Sequence, residues 1–397
     1  MRQIVLCIDW SNIAFRSLYM MGGYGSAPGS FDTKDECDRY IGKMATDIAY
    51  IVRSFMPSKV IFCTDSKHSW RKDVYEDYKA NRERPDTFNW DNIFDALNRF
   101  KAHLESKGYL FAETEHAEAD DLMALIKETV IDAGYPDLAN MNVILVSADA
   151  DIRQLITFNK DTHQYCAVFN EIGRGPGGFK HIYVTPEMLE WYNDTTTGND
   201  IFFTGLDADR QYLKGILDSN LKIRIEAVDP ESVLLTKIFC GDDGDNVPAF
   251  YDWYGSTGKK VRVTATKQKA LLEALGVNTM AALEAVGPEE LHSALETACK
   301  REIIDISAPE RLERQKKLVE LKSSNFPKSI RLYAADVLQM LQDGRYLQNV
   351  ISLKMDDLIK GSDFEQTLKH GNARMAEVFQ GLDKYIADNQ IQVTKLL

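Results

Sequence analysis

Three short apolar runs in this chain each end at aspartate: Ile4-Val-Leu-Cys-Ile-Asp9, Val60-Ile-Phe-Cys-Thr-Asp65 and Val143-Ile-Leu-Val-Ser-Ala-Asp149-Ala-Asp151. Runs of aliphatic and β-branched residues without alternation read as strands buried on both faces, the habit of a parallel sheet. All carboxyl ends of such a sheet emerge on one edge, where ligands bind in open α/β folds. Acids far apart in sequence are therefore expected to converge on one small volume. Crowded carboxylates repel and need cations to neutralise them. The pattern predicts a metal site.

Two further acidic motifs join the set. Glu118-Ala-Asp120-Asp121 opens an apolar helical pattern (Leu122, Met123, Leu125, Ile126), and Gly241-Asp242-Asp243-Gly244-Asp245-Asn246-Val247-Pro248 follows the apolar segment Val233–Cys240. Each alone has a plain reading: an acidic first turn caps a helix, and Asp-Gly-Asp-Asn makes a turn. Conjunction over five segments favours a shared site. The donors are carboxylate oxygens, with no HxxxH, and the six cysteines form no CxxC pair, which argues against zinc. Hard oxygen donors suit Mg²⁺, with Mn²⁺ able to substitute. The nine acids Asp9, Asp65, Glu118, Asp120, Asp121, Asp149, Asp151, Asp242 and Asp245 are too many for one Mg²⁺. They are enough for two ions about 3.5–4 Å apart, the usual clamp for phosphodiester hydrolysis.

A phosphate substrate should leave a basic mark nearby. The segment Trp70-Arg71-Lys72-Asp-Val-Tyr75-Glu-Asp-Tyr78-Lys79-Ala-Asn-Arg82 supplies it. On a helix Tyr75, Tyr78, Lys79 and Arg82 share one stripe, so rings could stack on bases while cations pair with phosphates. Arg71 and Lys72 are further candidate nucleic-acid contacts. The alternative is an ordinary amphipathic helix with its tyrosines packed inward.

Together these motifs match a family. Asp9-Trp-Ser-Asn12, Tyr78-Lys79-x-x-Arg82, Glu118-Ala-Asp-Asp121, Ser147-Ala-Asp149-Ala-Asp151 with Gln154-Leu155, and Gly241-Asp-x-x-Asp245-Asn-x-Pro248 resemble the flap endonuclease and 5′-to-3′ exonuclease family in order and spacing. Ser69-Trp-Arg-Lys-Asp73, Leu235–Asp242 and Gly344–Ile351 carry a narrower likeness to the ribonuclease H enzymes of T-even bacteriophages. The resemblance implies two Mg²⁺. Asp9, Asp65, Glu118, Asp120 and Asp149 would surround the first, and Asp151, Asp242 and Asp245 the second, with Asp121 supporting. It implies that Lys79 stabilises charge on the scissile phosphate, that Arg82 steers it, and that Tyr78 stacks on an unpaired terminal base. Residues 66–100 would form a helical arch over the site. The implied substrates are DNA and RNA–DNA hybrid with 5′ ends or flaps, and the implied task is RNA primer removal during phage DNA replication.

The chain departs from the family after the last acidic motif. Ala249–Val263 lacks the Gly-Ile-Gly turn of a helix-hairpin-helix, which puts that motif's K⁺ site in doubt. The segment stays basic: Lys259, Lys260, Arg262, Lys267 and Lys269 lie between Gly255 and Leu272 with no acid, a net of +5. Duplex contact through phosphates is expected there. Residues 193–230 carry no assigned role.

The formal charge of −13 runs against the basic footprint usual in nucleic-acid proteins. The acid cluster accounts for much of it, and a second basic run extends from Arg311 to Arg331. A low pI argues for recruitment by a partner, such as a single-strand-binding protein or a sliding clamp. The end Gln390–Leu397 is a candidate clamp-docking peptide, with a frayed terminus as the alternative. No apolar span approaches about 20 residues, and the unpatterned cysteines fit a reducing cytosol. The expected location is cytoplasmic (the host's, if the chain is phage-encoded), and the expected state a monomer.

The expected architecture is α/β, a parallel central sheet flanked by helices (a PIN-like 5′-nuclease core). The core spans 1–192 with the arch, and 193–397 holds the last acidic motif, the basic segment and a helical domain. Helices are expected over Lys267–Leu275, Pro288–Cys299, Pro309–Ser323, Ser329–Asp343 and Asn372–Leu397. A haloacid-dehalogenase phosphatase is disfavoured, because Asp9-Trp10-Ser11 lacks the second aspartate. The stronger rival is a relative that binds branched nucleic acid without cutting it. Retention of Asp149, Asp151, Asp242 and Asp245 favours catalysis.

Overall fold

The computed structural model describes residues 3–23, 30–174, 178–193, 223–251, 253–254, 260–261, 264–299, 308–343 and 352–368. Its main sheet has eight strands: β1 (Gln3–Asp9), β2 (Lys59–Cys63), β3 (Leu110–Ala112), β4 (Met141–Val146), β5 (Thr157–Phe158), β6 (Tyr165–Arg174), β7 (Phe179–Val184) and β8 (Ile223–Ala227). The order is β3-β2-β1-β4-β6-β7-β8, with β5 pairing antiparallel to β6. Pairing is parallel except at β5–β6 and β6–β7.

The apolar runs behave as their composition requires. β2 and β4 are buried along their whole length, and so is β1 from Ile4 to Ile8. Asp9 sits level with Cys63, and Ile8 with Val146. The carboxyl ends of β1, β2 and β4 therefore emerge together on one edge. The expected parallel α/β sheet is present, and β8 extends it with residues that carry none of the motifs.

Helices α1 (Trp10–Gly23), α2 (Lys34–Phe55), α3 (Arg71–Val74), α4 (Trp90–Ser106) and α5 (Ala119–Lys127) connect the first strands. The apolar side of α5 (Leu122, Met123, Leu125, Ile126) packs with Val5, Cys7, Ile61 and Cys63, and Phe326, Ile330, Val337 and Leu341 complete that core. A second core joins Leu235, Ile238 and Phe239 to Phe250, Tyr251, Leu271, Leu295 and Leu318. Of the later helices, Pro288–Cys299 forms as expected, and Ala265–Leu275 and Ala308–Val319 shift by a few residues. The expected helix 329–343 is instead two, Lys328–Leu332 and Ala334–Gln342.

Compactness divides the chain otherwise than at residue 192. One unit comprises Met1–Ile13, Ser54–Arg84 and Tyr109–Val350, and the other Ala14–Arg53, Pro85–Gly108 and Ile351–Leu397. Sequence order is misleading because segments after residue 230 complete the apolar cores. Within the second unit Phe100 meets Phe364 edge to face, and His103 Nε2 lies 3.0 Å from the Leu358 carbonyl. The expected carboxyl-terminal helix 372–397, its docking peptide, Gly344–Ile351, residues 194–222, Lys259 and Arg262 lie outside the described residues. Among those described, no helix is long and apolar enough to cross a membrane.

Candidate active site

Asp9 closes β1 and turns the chain into α1. Its Oδ1 accepts the Asn12 amide at 2.8 Å and its Oδ2 the Ser147 hydroxyl at 3.1 Å, so β1 and the end of β4 are tied together. Asn12 Oδ1 in turn accepts the Ala148 amide at 3.3 Å. Asp65, two residues past β2, accepts the Ala119 amide at 2.8 Å and so fixes the start of α5. Burial, and then the neighbouring Asp65 charge, push the Asp9 carboxyl up to about 8 against those two donors. Asp149 reaches the same edge, and its Oδ1 accepts the Asp151 amide at 3.0 Å.

Two lysines stand among the acids. Lys79 pairs with Glu118 and lies 3.6 Å from Asp245 Oδ2. Lys237, in the last turn of the helix Pro230–Cys240, lies 2.6 Å from Asp151 Oδ1 and also pairs with Asp242. Burial opposes the charge on each lysine, but the flanking carboxylates more than offset it and raise both ammonium groups above their ordinary value. Asp151 is pushed up to about 7, by burial first and then by Asp149, although Lys237 opposes the rise. Asp120 rises well above the carboxylate range because burial and the Asp121 and Glu118 charges outweigh Arg71. These shifts share one meaning: the cluster holds its negative charge at a cost that nearby positive charge relieves.

Tyr78, Lys79, Asp120, Asp149, Asp151, Asp242, Asp245, Val247, Leu318, Val319 and Leu321 line one cavity of about 20 Å³, room for roughly one water. Among the described residues no three carboxylates already converge as a chelate. The two ammonium groups occupy the intervening positions instead.

The turn Asp242–Val247, which carries Asp245, is closed as a hairpin by Asp242 N to Val247 O (2.8 Å) and Val247 N to Asp242 O (2.7 Å). Gly241 enters it at φ 71°, and a Cβ there would meet the Val247 oxygen at 2.3 Å. Gly241→Ala is expected to cost at least about 1–3 kcal/mol in backbone strain and to displace both aspartates. Thermal stability and cleavage rate should fall together, and an unchanged melting midpoint would show that the turn tolerates a side chain.

The acids do not all face the cavity. The expected metal support from Asp121 is corrected: this residue is fully buried and spends both oxygens on protein donors. It accepts the Trp70 indole N–H at 2.9 Å, Arg71 Nη2 at 2.8 Å and the Glu118 amide at 3.0 Å. The last contact is the capping bond of α5, so the plain reading of an acidic first turn holds at this position.

The expected contact of Arg71 with nucleic acid is corrected as well, because the residue is 1% exposed. Its Nη1 reaches Glu118 Oε2 at 2.8 Å, and its Nε reaches the Leu318 carbonyl at 2.9 Å. Burial would raise the Glu118 carboxyl, but Arg71 and Lys79 overcome it and hold the group down at about 2.

The helical stripe over 75–82 does not form. Helix α3 ends at Val74, residues 76–81 are turns, and Lys79 has a left-handed φ of 57°. The reason is competition for backbone partners. Lys79 N bonds Asp245 O, Asn81 Nδ2 bonds Asp243 O and Asn246 Nδ2 bonds Asp77 O, so the segment pairs with the acidic turn instead of with itself. Tyr78, at 2% exposure, is no open stacking platform. Its hydroxyl lies 2.9 Å from Glu118 Oε2 and 3.1 Å from Asp245 Oδ2.

The remaining candidates are dispersed. Tyr75 is half-buried beneath the Arg314 guanidinium, 5.7 Å from its ring, while Lys72 is exposed. Arg82 pairs with Asp245 and keeps 55% of its side chain exposed. Lys260 lies in a two-residue strand paired with Trp253–Tyr254, and Lys267 is half-buried in the helix Ala265–Leu275. Lys237, Ser147 and Gln154 act as positioning groups; all three lie within the motif blocks, but the motifs assign them no role. The sequence signals are their neighbours: Ser147 and Gln154 flank Asp149 and Asp151, and Lys237 is a lone cation five residues before Asp242.

A mostly parallel sheet flanked by helices, with its acids gathered at one edge, is a PIN-like fold. Residues 4–174 match the family described as 5′-3′ exonuclease, N-terminal resolvase-like domain. A flap endonuclease Xni of Photorhabdus laumondii subsp. laumondii is 33% identical over 98 residues, which are 25% of this chain and 35% of that protein. The chain thus spans about a third of the length of the curated relative it matches. Two solved bacteriophage T5 structures cover 90% of this chain and 99% of their own. A T5 protein co-crystallized with metal ions gives a TM-score of 0.46 at 16% identity, and T5 5′-exonuclease with bound zinc gives 0.45 at 18%.

Proposed function

We propose that this protein is a divalent-metal-dependent 5′ nuclease that hydrolyses phosphodiesters near 5′ ends and flaps of DNA. In this reading it also removes RNA primers from RNA–DNA hybrid in phage DNA replication, acting as a cytoplasmic monomer recruited by single-strand-binding protein and sliding clamp. The observation that supports it most is the crowding of carboxylates from three segments, 118–121, 149–151 and 242–245, around Lys79 and Lys237, in a chain whose residues 4–174 match a 5′-3′ exonuclease domain.

The donor set fits hard divalent cations: every candidate ligand is a carboxylate, and the positions between them already draw ammonium groups. Asp9, Asp65, Glu118, Asp120 and Asp149 would hold one Mg²⁺ or Mn²⁺, and Asp151, Asp242 and Asp245 a second. Bound there, the ions would supply a water of lowered pKa and a charge clamp on the phosphodiester. Lys79 and Arg82, both beside Asp245, would stabilise charge on the scissile phosphate. Arg71 keeps Glu118 ionised, and Asp121, held by Arg71 and Trp70, caps its helix, a positioning role.

A denaturing gel with 5′-labelled flap, nicked-duplex and RNA–DNA hybrid substrates tests this. Short labelled products are expected with Mg²⁺ or Mn²⁺ and none with excess chelator. The ranking of hybrid against flap separates primer removal from flap trimming. Intact substrate in every metal would overturn the reading.

A further inference from the structure

The basic run Arg311–Arg331 is not used by the site described above, and its cations divide into two kinds. Lys316 forms a close ion pair with Glu284 and also faces Glu313, and Arg314 lies over the Tyr75 ring. Lys317, Lys322, Lys328 and Arg331 are exposed, and among the described residues none of them makes an ion pair. That is unusual in a chain with a net charge of −13, where acids are in excess.

The same stretch is fastened to the acid cavity. Leu318, Val319 and Leu321 form its apolar wall. Gln154 clamps that wall, with Nε2 donating to the Val319 carbonyl and Oε1 accepting the Leu321 amide, both at 2.9 Å. Arg71 Nε holds the Leu318 carbonyl at 2.9 Å, and Glu128 accepts the Ser323 amide at 2.9 Å. Lys317 and Lys322 therefore immediately flank, in sequence, the residues that wall the acidic cavity, on a backbone pinned by four hydrogen bonds.

We propose that Lys317, Lys322, Lys328 and Arg331 form a phosphate-binding ridge that holds the sugar–phosphate backbone of duplex nucleic acid leading into the acidic cavity. Charge complementarity favours this occupant. A polyanion approaching a carboxylate cluster is repelled by it, and exposed cations on the stretch that walls the cavity and continues to Arg331 would offset that repulsion without neutralising the cluster itself. Contacts of this kind read phosphates, not bases, so the ridge sets affinity and register and leaves sequence preference unchanged. The inference rests on the nuclease reading above.

The test is a triple variant, Lys317→Gln/Lys322→Gln/Lys328→Gln, beside its Lys→Arg counterpart, on a nicked flap duplex with Mg²⁺. Binding of the same duplex is followed in parallel by anisotropy across a salt series, in Ca²⁺. The Gln variant should raise KM about tenfold while kcat stays within about twofold. Its slope of log binding constant against log salt should become shallower by about 0.9 for each phosphate that is no longer neutralised, and the Arg variant should behave as wild type. Wild-type KM and salt slope in a folded Gln variant would overturn the ridge while leaving the nuclease reading intact. A wild-type protein that neither binds nor cuts the duplex would overturn both.

Discussion

Asp149→Asn is expected to slow cleavage by about two to three orders of magnitude and to stabilise the metal-free fold at the same time. The side chain is exposed at the carboxyl edge of the sheet, so its replacement leaves no hole. Its charge raises the carboxyls of both Asp9 and Asp151. Relief of such repulsion is worth about 0.5–2 kcal/mol. The fall in rate should be on the order of 10²–10³-fold, the usual penalty for deleting one preorganised electrostatic contact. Divalent cation at about 100 times its Kd would add roughly 2.7 kcal/mol to the wild type, and less to the variant. Thermal melts with and without Mg²⁺, run beside a cleavage assay, separate the two effects. A metal-free midpoint below wild type would show that Asp149 carries a structural contact, and undiminished cleavage would remove it from the catalytic set.

Arg71→Ala should be the most destabilising single change at the site. The guanidinium is buried and satisfies Glu118, Asp121 and the Leu318 carbonyl together. Truncation leaves at least one buried carboxylate without its partner, which costs about 3–5 kcal/mol. At about two to four degrees per kcal/mol for a unit of this size, the midpoint falls by roughly 10 °C. Trp70→Phe removes only the indole bond to Asp121 and should cost on the order of 1 kcal/mol. Denaturant melts of both variants check the ranking. A small effect for Arg71→Ala would mean that solvent enters and hydrates Asp121.

The contrast between Asp120 and Asp121 shows how far the sequence can be read. Both belong to one motif, and adjacency gives no way to tell them apart. Asp120 lines the cavity, whereas Asp121 points into the protein and binds Trp70 and Arg71. Arg71 and Lys72 are likewise neighbours in a basic segment, yet one is buried and the other exposed. A helix presents successive residues about 100° apart, so the fate of each depends on what packs against that direction, and nothing local specifies it.

What the sequence determined by itself is the sheet edge. Unbroken apolar runs must be buried on both faces, such strands pair in parallel, and their aspartates then share one end whatever the connections do. Local composition and chain direction suffice for that, and Asp9, Asp65 and Asp149 lie at the common end they define. Only the tertiary structure decided the form of residues 75–82. Their backbone is claimed by the Asp242–Asn246 turn, with Asn81 bonding Asp243 at a separation of 162 residues, so helical spacing there had no bearing on the outcome. The same holds for Lys237, whose place between Asp151 and Asp242 follows from the packing of its helix beside the sheet edge. Contacts of long range outweigh local propensity wherever a segment's hydrogen bonds can be met elsewhere.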